Sequence, residues 1–342
     1  MIESIGIEHD ADLARWTSFG VASCAERLVH CHSMEEVRAL AMECREAAIG
    51  LKILGGGSNV LATADVAGTV MRMAIPGVER IDGAPAGRIR VAVGAGVFWH
   101  DFVMHSLDQG WSGLENLALI PGSVGASPMQ NIGAYGVELE QRFAWLEAVD
   151  LQTGDLRRFD HAECQFGYRE SVFKGALSGR FAIVRVAYDL LSEPDLKLDY
   201  GAIADRLRDA KITSPAPRDV AQAVMAIRSE KLPDPAVLGN AGSFFKNPVL
   251  TQSAFDCIRE EHPGIPHYPA SDGVKLAAGW LIEQSGWKGC DRGTHGVHDR
   301  QALVLVNRGG ATGREILALS AEIQASVSEK FNVELQREVN IW

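Results

Sequence analysis

The stretch Leu119-Ile120-Pro121-Gly122-Ser123-Val124-Gly125-Ala126-Ser127-Pro128-Met129-Gln130-Asn131-Ile132-Gly133-Ala134-Tyr135-Gly136 decides how this chain is read. Nearly every residue in it is small, a proline or amide-bearing, yet Leu, Ile, Val, Met and Tyr recur throughout. A solvent-exposed linker rarely keeps that much apolar content. The mix suits a wall against which a large flat ligand lies, its edges hydrogen-bonded by backbone groups. A buried irregular crossover would carry the same composition, so the wall needs support from elsewhere in the chain.

That support is a second glycine-rich loop, Gly55-Gly56-Gly57-Ser58-Asn59, directly after the short apolar run Leu51-Lys52-Ile53-Leu54. Consecutive glycines let backbone N–H groups converge on an anion, because no side chain blocks the approach. On this loop alone a flexible turn is an equal account. It is no Walker A loop, since no Gly-Lys-Ser/Thr follows, and the third glycine of a dinucleotide fingerprint is missing. Together the two stretches suggest a dinucleotide held without a Rossmann unit. FAD, with one pyrophosphate and one broad ring, fits both. Its candidate contacts are Gly55, Gly56, Gly57, Ser58 and Asn59 in one loop. In the other they are Pro121, Gly122, Ser123, Gly125, Ala126, Ser127, Asn131, Gly133, Ala134 and Tyr135.

Working outward, helix signals are interleaved with strand signals. Ser33 to Glu36 reads as a capping box, with Val37, Leu40, Ala41 and Cys44 at helical spacing after it. Thr312 to Glu315 reads as another, followed by Ile316, Leu319, Ile323 and Val327, and Val97 to Gln109 as a shorter helix. Strands are expected at 51–54, at 89–93, at 181–191 and as a closing strand from Phe331 to Ile341. A hairpin is expected where Thr153-Gly154-Asp155 separates 146–151 from 156–159. Strands and helices mix without regular alternation, which predicts an α+β architecture. The stretch Asp195 to Pro217 reads as irregular, and a domain boundary is placed near residues 215–230.

The chain has 342 residues, 46% hydrophobic and 23% charged, enough apolar material for packed domains. Its formal net charge of −11 argues against nucleic acid as a partner. No run approaches the ~20 apolar residues of a membrane helix. Met1-Ile2-Glu3-Ser4 has neither a basic nor an apolar leader character. The six cysteines, at 24, 31, 44, 164, 257 and 290, form no Cys-x-x-Cys pair, and no histidine sits at zinc spacing. A cytoplasmic protein with reduced thiols and no metal is expected.

Three polar residues keep unusual company. Arg169, in Phe166-Gly167-Tyr168-Arg169-Glu170-Ser171, is either a stacked structural cation or a clamp for a carboxylate. Ser243, in Gly239-Asn240-Ala241-Gly242-Ser243-Phe244-Phe245-Lys246-Asn247-Pro248, is either a turn hydroxyl or a proton donor. It lies outside any Gly-x-Ser-x-Gly elbow. Glu338, on the expected last strand, is by default an outward carboxylate; if buried it needs a partner or a raised pKa. Lys231, Lys246 and Lys275 are scattered surface lysines that together could meet a diphosphate.

Taken in order, these strings resemble the UDP-N-acetylenolpyruvoylglucosamine reductase family. Further matching strings are Gly113-Leu114-Glu115-Asn116-Leu117, Lys231-Leu232-Pro233-Asp234-Pro235, Lys275 to Ile282, and Gln301-Ala302-Leu303-Val304-Leu305. Each is weak alone, and the ordered set covers nearly the whole chain. The resemblance implies a vanillyl-alcohol-oxidase-type FAD-binding fold in two domains, 1–75 plus 330–342 and 76–225, with a third α+β substrate domain at 226–329. It implies non-covalent FAD, NADPH as co-substrate, and a monomer acting on UDP-N-acetylglucosamine enolpyruvate in peptidoglycan precursor synthesis. Arg169, Ser243 and Glu338 are then catalytic. Leu198-Asp199-Tyr200-Gly201 resembles a lid whose Tyr200 grips substrate. Lys231, Asn247, Tyr268, Lys275 and Gln301 hold the nucleotide side. The chain departs from the family in having Thr17-Ser18-Phe19 where Asn-Thr-Phe is usual, and Gln336-Arg337 before Glu338-Val339. The His- and Arg-rich stretch 291–298 is not accounted for.

The implied chemistry saturates an enolpyruvyl ether with a hydride at the methylene carbon and a proton at the α-carbon. Arg169 would meet the negative charge that develops on the carboxylate, Glu338 would help hold it, and Ser243 would give the proton. Two other classes compete. A flavin-dependent sugar or alcohol oxidase of the same fold often tethers FAD through His or Cys, and neither flanks the first glycine loop. A non-catalytic sugar-nucleotide sensor would have no need of Arg169, Ser243 and Glu338 together.

Overall fold

The computed structural model describes residues 6–200, 202–270 and 273–342; Met1 to Ser4 and Gly201, both invoked above, lie outside them. The chain forms two compact units. The first comprises the chain up to Ala11, Ala25–Gly57 and Val66–Glu230, and the second Asp12–Cys24, Ser58–Asp65 and Lys231–Trp342. Strands and helices mix in both, as expected for α+β.

In the first unit a four-stranded sheet runs in the order Ile7–Asp12, Cys24–Cys31, Val66–Met73, Leu51–Leu54. Val66–Met73 pairs in parallel with both Cys24–Cys31 and Leu51–Leu54. Met34–Glu46 packs on it through Val37, Leu40, Ala41 and Cys44, the four residues whose spacing marked the helix. Ser33 accepts from the N–H of Glu36, while the Glu36 carboxylate reaches one residue further back, to the N–H of His32. The box is therefore stretched by one residue.

The other sheet of this unit is antiparallel: Leu156–Asp160, Phe143–Asp150, Phe181–Leu191, Arg88–Gly94 and Val78–Ile81. The hairpin expected around Thr153-Gly154-Asp155 is present, with Gly154 at φ +77°. Asp189 faces Arg90 across the ladder, and both carboxylate oxygens accept from the guanidinium at 2.7 Å. Trp99–Asp108 covers one face, and Pro217–Lys231 buries Val220, Ala221, Val224 and Ile227 in the same core. At ~1.5–3 kcal/mol for each buried large side chain, these stripes outweigh weak local propensity. The stretch 195–217 is not wholly irregular: Ala202–Asp209 is a helix, anchored by buried Ile203 and Leu207. Prolines on both sides hid a two-turn element whose few apolar residues carry it.

In the second unit Gly239–Ser243, Val304–Asn307 and His295–Val297 make one antiparallel sheet, and Val249–Leu250, Gly273–Leu276 and His267–Ala270 another. Gly313–Phe331 lies over this core with Ile316, Leu319, Ile323 and Val327 buried, opened by a complete Thr312–Glu315 capping box. The expected closing strand from Phe331 to Ile341 is mostly absent. Phe331 ends that helix, Asn332 terminates it at φ +54°, a single antiparallel bridge joins Arg337 to Phe245, and Asn340–Ile341 pairs in parallel with Val60–Leu61. Val333, Leu335 and Val339 are buried outside any named strand. The alternation marks burial of an extended chain that pairs only briefly, around Arg337 and at Asn340–Ile341.

Candidate active site

In the first unit the two glycine-rich loops meet backbone to backbone. A Cβ on Gly56 would lie 2.8 Å from the Cα of Gly122, and one on Gly55 would lie 2.6 Å from the Ser123 Oγ. No L side chain fits that approach. The long stretch is also laced to the end of strand Arg88–Gly94: Gly125 N–H donates to Ala95 and Val124 N–H to Val97. Ser127 Oγ donates to the Val124 carbonyl and meets the hydroxyl of Tyr188 at 2.9 Å. Burial pushes the Tyr188 phenol far above its ordinary range, so it stays neutral. Ser123 is 3% exposed, and its hydroxyl has no hydrogen-bond partner among the described residues. A buried hydroxyl left open beside side-chain-free backbone fits a polar ligand such as a diphosphate.

Further along the stretch, Asn131 is fully buried at φ +42°. Its amide donates to the Gly167 carbonyl and to the carboxylates of Glu138 and Glu140, and its Oδ1 accepts from the Glu140 N–H. Asn131 thus braces the loop. Arg169 sits at φ +56° in a turn closed by mutual hydrogen bonds between Gly167 and Glu170, with its guanidinium 5.4 Å from the Tyr168 ring. It donates to the Gly133 carbonyl at 2.7 Å. A Cβ on Gly133 would stand 3.2 Å from that guanidinium.

Arg228 was missed in the sequence. It is hydrogen-bonded to the Tyr135 side chain, donates to the Leu119 carbonyl and faces the charge of Arg169. Burial and that neighbouring cation lower its pKa, and among the described residues the Tyr135 hydroxyl is what offsets them. Its signal was an arginine on the apolar side of a helix, at the spacing Ala221, Val224, Arg228. Tyr135 is at φ +50°, and its ring meets that of Tyr200 edge-on at 5.5 Å.

In the second unit Ser243 ends strand Gly239–Ser243, opposite Val304. Gly242 supplies φ +67°, and buried Asn240 fixes the turn by accepting from the Gly242 N–H. Phe244 and Phe245, the next two residues, are almost wholly buried, with ring centroids 5.4 Å apart. The N–H of Glu338 donates to the Phe244 carbonyl at 2.8 Å, and Phe245 bridges Arg337. The backbone of Glu338 is thereby joined, from a distant part of the sequence, to the residue that follows Ser243. Glu338 lies before the short terminal strand rather than on it. Its carbonyl accepts from Asn59. The departing Thr17-Ser18-Phe19 string is used here too: Ser18 accepts from the Asn240 N–H and Phe19 from Asn307.

Of the expected nucleotide-side residues, Tyr268 and Lys275 are direct cross-strand partners. Asn247 accepts from the Ala278 N–H at the start of helix Ala278–Gln284. Gln301 lies with its Oε1 3.2 Å from where a Cβ on Gly279 would be. Lys231 ends helix Pro217–Lys231 and is exposed. In the stretch 291–298, Arg292 pairs with Glu322 and Asp291 with Arg308, which gives those charges a structural use.

A family model described as FAD binding domain matches residues 25–160, and one described as UDP-N-acetylenolpyruvoylglucosamine reductase, C-terminal domain, matches 234–342. A UDP-N-acetylenolpyruvoylglucosamine reductase of Pseudomonas fluorescens is 51% identical over 340 residues, covering 99% of this chain and all of the relative. The crystal structure of the reductase of that name from Thermus caldophilus superposes with a TM-score of 0.68 at 23% identity, covering 99% of both chains. The 6-hydroxy-D-nicotine oxidase of Arthrobacter nicotinovorans reaches 0.51 at 12% identity, covering 95% of this chain and 86% of its own. The fold is thus the flavin-binding one expected from the glycine-rich stretches.

Proposed function

The chain belongs to the UDP-N-acetylenolpyruvoylglucosamine reductase family, and from that premise we propose how its residues act. The protein is an FAD-dependent oxidoreductase that reduces UDP-N-acetylglucosamine enolpyruvate in peptidoglycan precursor synthesis. The cradle between Gly55–Gly57 and Pro121–Ser127, with the open hydroxyl of Ser123, holds the FAD diphosphate, and Asn131 to Tyr135 frame its ring side. FAD, when bound, supplies the hydride and is recharged by NADPH.

The remaining work falls to the chain. Arg169, positioned by its bond to Gly133, meets the negative charge that grows on the substrate carboxylate. Glu338 shares a hydrogen with that carboxylate. Ser243 delivers a proton from its Oγ to the α-carbon; a hydroxyl suffices because the carbanion-like intermediate is a strong base and the geometry is fixed. Tyr200, Lys231, Asn247, Tyr268, Lys275 and Gln301 bind the UDP-sugar. The observation that supports the assignment is the Glu338–Phe244 hydrogen bond, which ties the backbone of Glu338 to the residue that follows Ser243.

Residues 1–75 with 330–342 and 76–225 form the flavin domains, and 226–329 the substrate domain. Pairing of Asn340 with Val60 supports grouping the last strand with the N-terminal part. The enzyme works in the cytoplasm as a monomer. Among the described residues no helix is long and apolar enough to cross a membrane. The test uses the visible spectrum. NADPH bleaches the yellow flavin anaerobically, and UDP-N-acetylglucosamine enolpyruvate restores it. Ser243→Ala leaves bleaching nearly intact and slows restoration by ~10²-fold or more. Survival of both half-reactions in that variant removes Ser243 as the donor.

A further inference from the structure

Asn116 is 1% exposed and sits in the single turn Glu115–Leu117. A side-chain amide nitrogen has two hydrogens to give. Both are spent on backbone carbonyls from distant parts of the chain: Tyr135 at 2.9 Å and Lys197 at 2.9 Å. The first acceptor belongs to the glycine-rich stretch, at a non-glycine residue held at φ +50°. The second lies three residues before Tyr200, in a segment with no regular secondary structure between strand Phe181–Leu191 and helix Ala202–Asp209. Tyr135 and Tyr200 then touch ring to ring at 5.5 Å. The Asn116 amide is therefore a clip joining the flavin-side loop to the root of the Tyr200 segment.

The surroundings reinforce the clip. Glu115, 2% exposed, accepts from the Gly113 N–H at 2.6 Å and lies in the field of Arg142. Arg142 also attracts Asp195, two residues before Lys197. A buried amide whose donors both meet carbonyls is costly to replace by an apolar group, because its loss leaves both carbonyls without that partner.

We propose that Asn116 is a positioning residue that clips the Tyr200-bearing segment to the glycine-rich loop at Tyr135, and so sets the affinity for the UDP-sugar without taking part in flavin reduction. This rests on the assignment of Tyr200 to substrate binding. Loss of the clip releases the segment from its root, so each binding event must order it anew. That cost falls equally on ground and transition states, raising KM and sparing kcat.

The experiment uses the full-length flavoprotein and Asn116→Leu, close in volume but without donors. Asn116→Ser, able to serve one carbonyl only, replaces it if the leucine variant does not fold. Limited trypsin digestion, with fragments mapped by mass, reads cleavage after Lys197. The expected result is cleavage faster by about tenfold, as local opening becomes easier. Bleaching by NADPH is unchanged, and KM for UDP-N-acetylglucosamine enolpyruvate rises about tenfold with kcat within about twofold. Combined with Tyr200→Ala, the two changes in KM are non-additive, as for residues acting through one another. Native cleavage after Lys197 together with native KM overturns the proposal, as does an equal fall in both half-reactions. If Tyr200→Ala alone leaves KM unchanged, the assignment of Tyr200 fails, and the rate of cleavage after Lys197 still decides the clip.

Discussion

At the scale of single residues, the site is made as much by missing side chains as by present ones. Gly56 is not among the positive-φ glycines, so its requirement comes from the Gly122 backbone, 2.8 Å from where a methyl group on Gly56 would stand. Gly56→Ala forces two main chains apart, an overpacking of about 1–3 kcal/mol. At about 1.4 kcal/mol per tenfold, with that cost falling on the loop approach FAD needs, this predicts FAD binding weaker by about 5- to 140-fold. Titration of the apoprotein with FAD, followed by flavin fluorescence, measures it; native affinity would show that the two loops need not touch. The glycine runs were legible in the sequence because composition alone announces a close approach. Arg228 was not legible, because an arginine on a helix reads as surface until Tyr135 and Leu119 are seen against it.

At the scale of elements, local signals worked where the local rule was sufficient. Thr312 accepts from the Glu315 N–H, and the Glu315 carboxylate returns to the Thr312 N–H at 2.7 Å. Both ends of that exchange lie within one turn of sequence, so the motif can be read without a fold. Thr312→Ala is expected to cost about 1 kcal/mol, within about 0.5–2, seen as a lower urea midpoint at unchanged slope. The terminal segment shows the opposite. Val333, Leu335 and Val339 alternate like a strand, yet the N–H of Glu338 goes to Phe244 and that of Asn340 to Asn59. Strand pairing depends on which backbone lies alongside, and side-chain alternation carries no record of it. The helix Ala202–Asp209 was missed for a related reason: tertiary burial of Ile203 and Leu207 overrode the polar, proline-flanked sequence.

At the scale of the whole molecule, three partly buried histidines contribute to the response to mild acid. His30, His100 and His298 all have pKa values lowered from 6.5, chiefly by burial. Their unfolded forms bind protons first, so stability is fully present above about pH 6.5 and is lost as pH falls toward the folded values. His100 adds a structural consequence, because its Nδ1 accepts from the N–H of Leu119 at φ +59°, next to the flavin stretch. Asp101 opposes the shift at His100 and Arg228 favours it. The melting temperature is expected to fall between pH 7 and pH 5, and to fall less in His100→Gln. A flat profile in the native protein would show that these rings are solvated in solution.

The sequence by itself determined the fold class, the two glycine-rich loops, the helices opened by capping residues, and the membership that brings Arg169, Ser243 and Glu338 to notice. Those features are written in composition or in neighbours a few residues apart. Only the tertiary structure decided that the Glu338 N–H meets the Phe244 carbonyl, that Arg228 and Tyr135 share a hydrogen bond, and that Asn116 spends its amide on Tyr135 and Lys197. Each of these is a hydrogen bond between segments far apart along the chain. Such a bond exists only once packing has chosen which backbone faces which donor.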